Sequence, residues 1–327
     1  MAGLGKKILI VFGVICSIIV IGFGSIIVVL LVTNPGGEDN VLKTREEMIP
    51  SGAIKYGPDS DLYPPVLHSS LWNDPVPLEG PINTAGAEDA PFISIDGNNF
   101  FFFFTPNASV EAQYQVNDGV TGIWWSKKSG DSWTEPERVF LGWDCLDGCP
   151  FYLDETLWFC SIRDAAGPKM YTAELQEDEW VNTQEVCSVL NEDYCIGEMH
   201  LTANGQKLYF HADIPGGKGN YDIWMTELVD DQWQEPVNLE TINTPEHDFL
   251  PFLTADNSEL WFTRTYLGSP GVFRSIWNGT HWEEPELIVS SFAGEPTLDP
   301  EGNLYFVHHF VEDGEILEAD IYVCYKK

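Results

Sequence analysis

The sequence predicts an all-β fold: a five-bladed β-propeller of four-stranded blades over residues 68–327. Three observations predict it. A Trp-x-x-Pro tetrad recurs at Trp72, Trp133, Trp233 and Trp282, with a degenerate copy at Trp180. An aromatic strand keeps the same phase, in Phe100–Phe104, Leu157–Phe159, Leu208–Phe210, Leu260–Phe262 and Leu304–Phe306. Turns precede it, as at Asp96-Gly97-Asn98, Asn204-Gly205 and Glu301-Gly302-Asn303; these supply the positive φ that hairpins need. A period of roughly 50 residues with several short strands in each repeat marks propeller blades.

The chain begins with a charge-free stretch from Ile8 to Val32. That exceeds the roughly 20 residues a bilayer core requires, and it exceeds the ~7–15 of a signal-peptide core. One uncleaved transmembrane helix is therefore expected within residues 1–33. Lys6 and Lys7 precede it while Glu38 and Asp39 follow, which predicts a cytoplasmic N-terminus and an extracellular or periplasmic propeller. Residues 34–67, with Pro35-Gly36-Gly37, Pro58, Pro64 and Pro65, read as a linker. Within each blade a third strand follows the aromatic one, as in Gly122-Ile123-Trp124, Asp222-Ile223-Trp224 and Asp320-Ile321-Tyr322. The Trp-x-x-Pro strand comes last, and proline there suits an edge because it donates to no ladder. The final blade ends at Tyr322–Tyr325 without a tetrad, whereas Trp72 has a tetrad and no blade before it. The Trp72 strand is thus expected to complete the fifth blade and close the ring.

Acids outnumber bases 51 to 16, giving a formal net charge of −35. That excludes a nucleic-acid binder, which needs cations against phosphate. Seven cysteines are present. Cys16 falls in the apolar span, Cys145–Cys149 and Cys187–Cys195 bracket short loops and are the favoured disulfide pairs, and Cys160 and Cys324 read as free buried thiols. Asn107-Ala-Ser109 and Asn278-Gly-Thr280 have the form of glycosylation acceptors.

The units Ile82-Asn83-Thr84…Glu88-Asp89-Ala90-Pro91 and Asn238-Leu239…Ile242-Asn243-Thr244…Asp248…Pro251 resemble the WD40-like repeats of TolB-type propellers. Blade two departs from the pattern, with its cysteine loop and no proline after Trp180. The resemblance implies a binding or interaction module outside the cytoplasm, with a protein, peptide or glycan as ligand.

Inner strands line a propeller's channel. Aligned on their prolines, the blades place Glu88 or Asp89, Asp147, Glu198, Asp248 and Glu295 where those strands begin, with His200 and His247 beside them. These residues are the candidate ligand site. A ring of carboxylates there would raise some pKa values unless a cation such as Ca²⁺ intervened. The competing reading is structural, since acids before strands commonly accept backbone N–H groups.

The enzyme alternative is a glycosidase of the five-bladed kind, with Glu88 or Asp89, Asp147 and Glu198 as catalytic carboxylates and Trp72 and Trp143 stacking on sugar. A sialidase reading fares worse. Ser126–Trp133 has Lys128 where an Asp box needs Asp, and none of Arg138, Arg163, Arg264 and Arg274 stands at the start of an inner strand. Phosphate loops, His-Glu-x-x-His and Gly-x-Ser-x-Gly are absent from the sequence. His308 and His309 are adjacent in a strand, so one is expected packed and the other wet.

Overall fold

The computed structural model describes residues 43–115, 118–142, 145–163, 168–186, 190 and 196–327. The apolar span of residues 8–32, Cys16, Trp143 and the Cys187–Cys195 pair lie outside them. Among the described residues, no helix is long and apolar enough to cross a membrane. Strand makes up 51% and helix 3%, so the fold is all-β.

Two short strands come first, β1 (Val66–Leu67) and β2 (Val76–Pro77). Five antiparallel groups follow among the described residues. The first contains β3 (Ala87–Ile93), β4 (Asn99–Thr105), β5 (Gly122–Ser129), β6 (Ser132–Trp133) and β7 (Glu137–Arg138). The second contains β8 (Leu146–Leu153), β9 (Thr156–Ile162), β10 (Lys169–Gln176) and β11 (Glu179–Glu185). The third contains β12 (Met199–Leu201), β13 (Lys207–Ala212), β14 (Asp222–Val229), β15 (Gln232–Trp233) and β16 (Val237–Asn238). The fourth contains β17 (Asp248–Leu253), β18 (Glu259–Tyr266), β19 (Ser269–Ile276) and β20 (Glu286–Ser290). The last contains β21 (Ala293–Leu298), β22 (Leu304–Glu312) and β23 (Glu315–Cys324). Its edge comes from the front of the chain, because β2 pairs with β23 and Trp72 bridges Lys326.

The tetrads shape the outer edges. In the first and third groups the edge strand breaks in two, with Pro136 and Pro236 in the gaps between β6 and β7 and between β15 and β16. Trp180 has no such proline, and β11 runs unbroken beyond it. A missing N–H is enough to account for the difference.

Alternate residues of the Phe100–Phe104 run enter different clusters. Phe100, Phe102 and Phe104 pack together, Phe101 joins the large cluster spanning several groups, and Phe103 packs on Ala90 and Leu146. Both faces of β4 are therefore covered, which is why the run does not alternate with polar residues.

Each innermost strand carrying a proline bulges at it. Register shifts fall between Asp89 and Phe92, Gly148 and Phe151, Phe249 and Phe252, and Gly294 and Thr297. The residue before each proline takes positive φ: Ala90 at 47°, Cys149 at 56°, Leu250 at 58° and Glu295 at 55°. Such backbone costs ~1–3 kcal/mol per residue and persists only where its surroundings enforce it.

Residues 43–67, part of the stretch read as a linker, pack against the sheets. Thr44 caps a one-turn helix, Arg45–Met48, through a capping box. The Arg45 guanidinium then lies buried over the rings of Phe102, Phe104 and Trp124. Lys55 bonds Glu318 and Asp320, Tyr56 stacks on Phe310, and β1 pairs with β20.

The cysteine pairing at Cys145–Cys149 is corrected: neither forms a disulfide, nor do Cys160 and Cys324. The Cys145 thiol donates to Asp147 Oδ2 at 3.2 Å, while Cys149 sits in the proline bulge and hydrogen-bonds Cys160. A short loop in sequence is here extended strand from Leu146 onward, and ~3.3 Å per residue carries the two cysteines beyond bridging reach. His308 and His309 are likewise both fully buried. The expected wet partner is covered because Asp61 reaches in from the N-terminal segment, 2.8 Å from His308 Nε2.

Candidate functional site

The innermost strands of all five groups converge on one narrow cavity, lined by Ala90, Cys149, Glu198, Leu250 and Glu295 and by the residue or two after each. The second residue after each of the first four is aromatic: Phe92, Phe151, His200 and Phe252. The His200 ring lies 6.0 Å from Phe92, 4.6 Å from Phe151 and 4.7 Å from Phe252, centroid to centroid. Burial holds this imidazole down at about 3, so it is neutral. His200 thus packs an aromatic plug below the carboxylates. The space open to the centre of a water molecule is about 20 Å³, enough for roughly one water.

The predicted carboxylates divide into two tiers. Glu88, Asp147 and Asp248 stand three residues before their prolines and are fully buried. Glu88 takes Arg45 Nη1 at 3.2 Å and the Thr84 N–H and hydroxyl at 2.9 and 2.6 Å. Burial nevertheless raises it to about 8. Asp147 accepts from Ser161 at 2.6 Å and Arg163 at 3.0 Å. Asp248 accepts from Arg264 and from the Thr244 N–H and hydroxyl, with burial raising its pKa against the arginine's pull.

Glu198 and Glu295 instead stand directly before Met199 and Pro296 and line the cavity. Burial lifts Glu198 to about 8, with Asp89 adding to the shift, and lifts Glu295 to about 7. Glu198 keeps part of its surface, but its Oε1 is enclosed and, among the described residues, without a hydrogen-bond partner. Glu295 is 3% exposed; its Oε2 accepts the Ala90 N–H, while its Oε1 likewise has no partner. Asp89 lies between the tiers, accepting from the Ala90 N–H and facing His309 Nε2 at 3.7 Å.

The five predicted positions therefore do not form one ring of like groups. Among the described residues, no three His, Cys, Asp or Glu side chains are arranged to hold a metal ion. The first-tier acids close on arginines of the same chain, so those three carboxylates are not open to calcium. His247 stands apart from the axis, beside Tyr221 at 5.3 Å, with its pKa lowered by burial. Trp72 is buried edge-on against Trp261, so it offers no face to a sugar. Sequence reasoning missed Arg45, Arg163, Arg264 and His309 as partners of these acids. The strand register contained part of the signal, since Arg264 sits directly opposite Asp248.

No known family's sequence profile matches the chain, and no curated protein matches it. Similar solved structures include TolB from Acinetobacter baumannii, at 14% identity and TM-score 0.38 over 71% of this chain and 64% of that one. Others are the α-L-arabinofuranosidase PaAbf62A from Podospora anserina in complex with cellotriose (10% identity, TM-score 0.44, 77% and 95% covered) and a protein of unknown function from Dyadobacter fermentans (12%, 0.45, 82% and 99%). The chain thus spans somewhat under two thirds of the length of the TolB chain. At these levels the likenesses favour neither binding nor hydrolysis.

Proposed function

We propose that residues 68–327 form a closed five-bladed propeller, tethered by the apolar helix of residues 8–32 on the extracellular or periplasmic side, and act as a binding module. The pairing of β2 with β23 and the packing of β3 against β21, β22 and β23 support the ring. One observation carries the binding reading: the axial space takes about one water above an aromatic plug, and the acids beside it are enclosed. A glycosidase needs a carboxylate pair facing a pocket that admits a sugar ring. Recognition of a protein, peptide or glycan then falls to the channel mouth, where Glu198 keeps some surface. The net charge of −35 rules against a nucleic acid there.

The test is the full chain incubated with arabino-, xylo- and fructo-oligosaccharides, with products followed by chromatography. All substrates should remain intact. Release of monosaccharide that Glu198→Gln abolishes would establish the enzyme instead.

A further inference from the structure

We propose a second site, a subsite for a neutral sugar ring, in the groove between the third and fourth groups. It lies at the end of the sheets away from the axial carboxylates, where the turns β12–β13 and β17–β18 meet the tip of the β19–β20 hairpin. Asn204, Lys207, Asp256, Asn257, Trp277 and Trp282 line it, around a cavity of about 300 Å³. That is about the smallest size of an ordinary small-ligand pocket.

Trp277 is the reason to look here. The repeat demands Trp282, which is buried, but not Trp277, which is 41% exposed. Trp277 is the cross-strand partner of Trp282, at 5.3 Å between centroids. Lys128 and Leu228 hold the equivalent place opposite Trp133 and Trp233. Lys128 covers its tryptophan with an ammonium 4.6 Å from the ring. Covering the repeat tryptophan therefore needs no indole. An exposed indole beside hydrogen-bonding groups offers one apolar face and a polar rim, the pairing that a sugar's C–H face and hydroxyls match.

The polar rim is built for hydroxyls. Asn257 sits in the β17–β18 turn at φ 58°, and its buried Oδ1 has no partner among the described residues. Asp256 receives the Thr254 hydroxyl and the Ser258 N–H and hydroxyl on Oδ1, which lowers its pKa and keeps it ionised. Asn204 accepts through Oδ1 from Thr202 and Gln206, so its amide N–H₂ is a donor on the rim. Lys207 is paired with Glu227 at 2.9 Å, so the charge facing the groove is that of Asp256, which disfavours an anionic ligand. The exposed indole and the amide rim suit a neutral polyhydroxylated ring.

The site differs in place and residues from the channel mouth, so the two can fail separately. Cellotetraose, maltotetraose and chitotetraose would be titrated into the full chain by calorimetry and saturation-transfer NMR. At least one should bind, and Trp277→Ala should weaken it about tenfold or more, ~1.4 kcal/mol. Trp277→Lys restores the covering seen at Lys128, so it should melt with the wild type yet lose the sugar. Absence of binding by all three sugars would overturn the subsite, as would Trp277→Lys binding like wild type. Cleavage of a probe would overturn the binding-module reading and leave the subsite standing.

Discussion

Two tiers of carboxylates, carried by different inner strands, are neutralised in different ways. Glu88, Asp147 and Asp248 each close on an arginine, from the N-terminal segment or from their own group. Glu198 and Glu295, two residues further along the repeat, meet no arginine or lysine among the described residues, and burial lifts them to about 8 and about 7. Arginines hold one tier and protons the other, and Glu88, lifted to about 8 by burial despite Arg45, combines both. A carboxyl held by a proton makes stability depend on pH. The sites most tempting as catalysts are thus split between structural anchors and enclosed acids.

Breaking an ion pair should have the largest effect. Arg264→Ala leaves Asp248 buried beside only the Thr244 donors, and removing one partner of a buried pair costs about 3–5 kcal/mol. Urea denaturation of the two proteins measures it. A loss under about 1 kcal/mol would mean that Asp248 simply takes up a proton, and the distinction between the tiers would collapse.

The architecture was legible because its signals repeat. Tetrads, aromatic strands and turns recur, and errors in one copy are corrected by the others. The site was less legible because the two tiers differ by two residues on a bulged strand, and alternation arguments fail at a bulge. Aligning on proline put Glu198 and Glu295 in one column with each other but not with Glu88, Asp147 and Asp248. Residues 43–67 have a linker's composition, yet single side chains such as Arg45, Lys55 and Asp61 anchor them to partners more than 30 residues away. No local pattern reports such contacts. Cys145 and Cys149 misled for a related reason: close spacing predicts a bridge only when the backbone between them is a loop.

Removing the proton-held acids should act more weakly and in the other direction. In the folded chain Glu198 and Glu295 have pKa values above their unfolded values, so between about pH 5 and 8 the native state binds more protons than the unfolded one. Stability therefore falls as pH rises through that window. Glu198→Gln and Glu295→Gln keep the shape without the charge. Each should raise stability at pH 8 by up to about 3–4 kcal/mol, with the gain shrinking towards pH 5. Thermal melts across pH 5–8 decide it. A gain equal at both ends would place the effect in packing, outside the proton-held tier.

Lys55 tests whether the comparison extends to the N-terminal segment. It reaches Glu318 and Asp320, which burial raises to about 7 and about 6 even with the lysine present. These two acids thus combine both modes, cation and proton. Lys55 is 42% exposed, so its attraction is screened and its removal should cost only about 1 kcal/mol. The cost must grow with pH. Near pH 5 the folded acids hold protons and lose little with Lys55→Ala, whereas at pH 8 both are ionised and unpaired beneath the segment. Added salt should shrink the difference at pH 8, since a half-exposed pair is open to screening. Chemical denaturation of Lys55→Ala at pH 5 and 8, in low and high salt, reads all of this. A cost independent of pH would show that Lys55 acts through its alkyl packing on the sheet, leaving the N-terminal segment held by contacts such as Tyr56 on Phe310 rather than by charge.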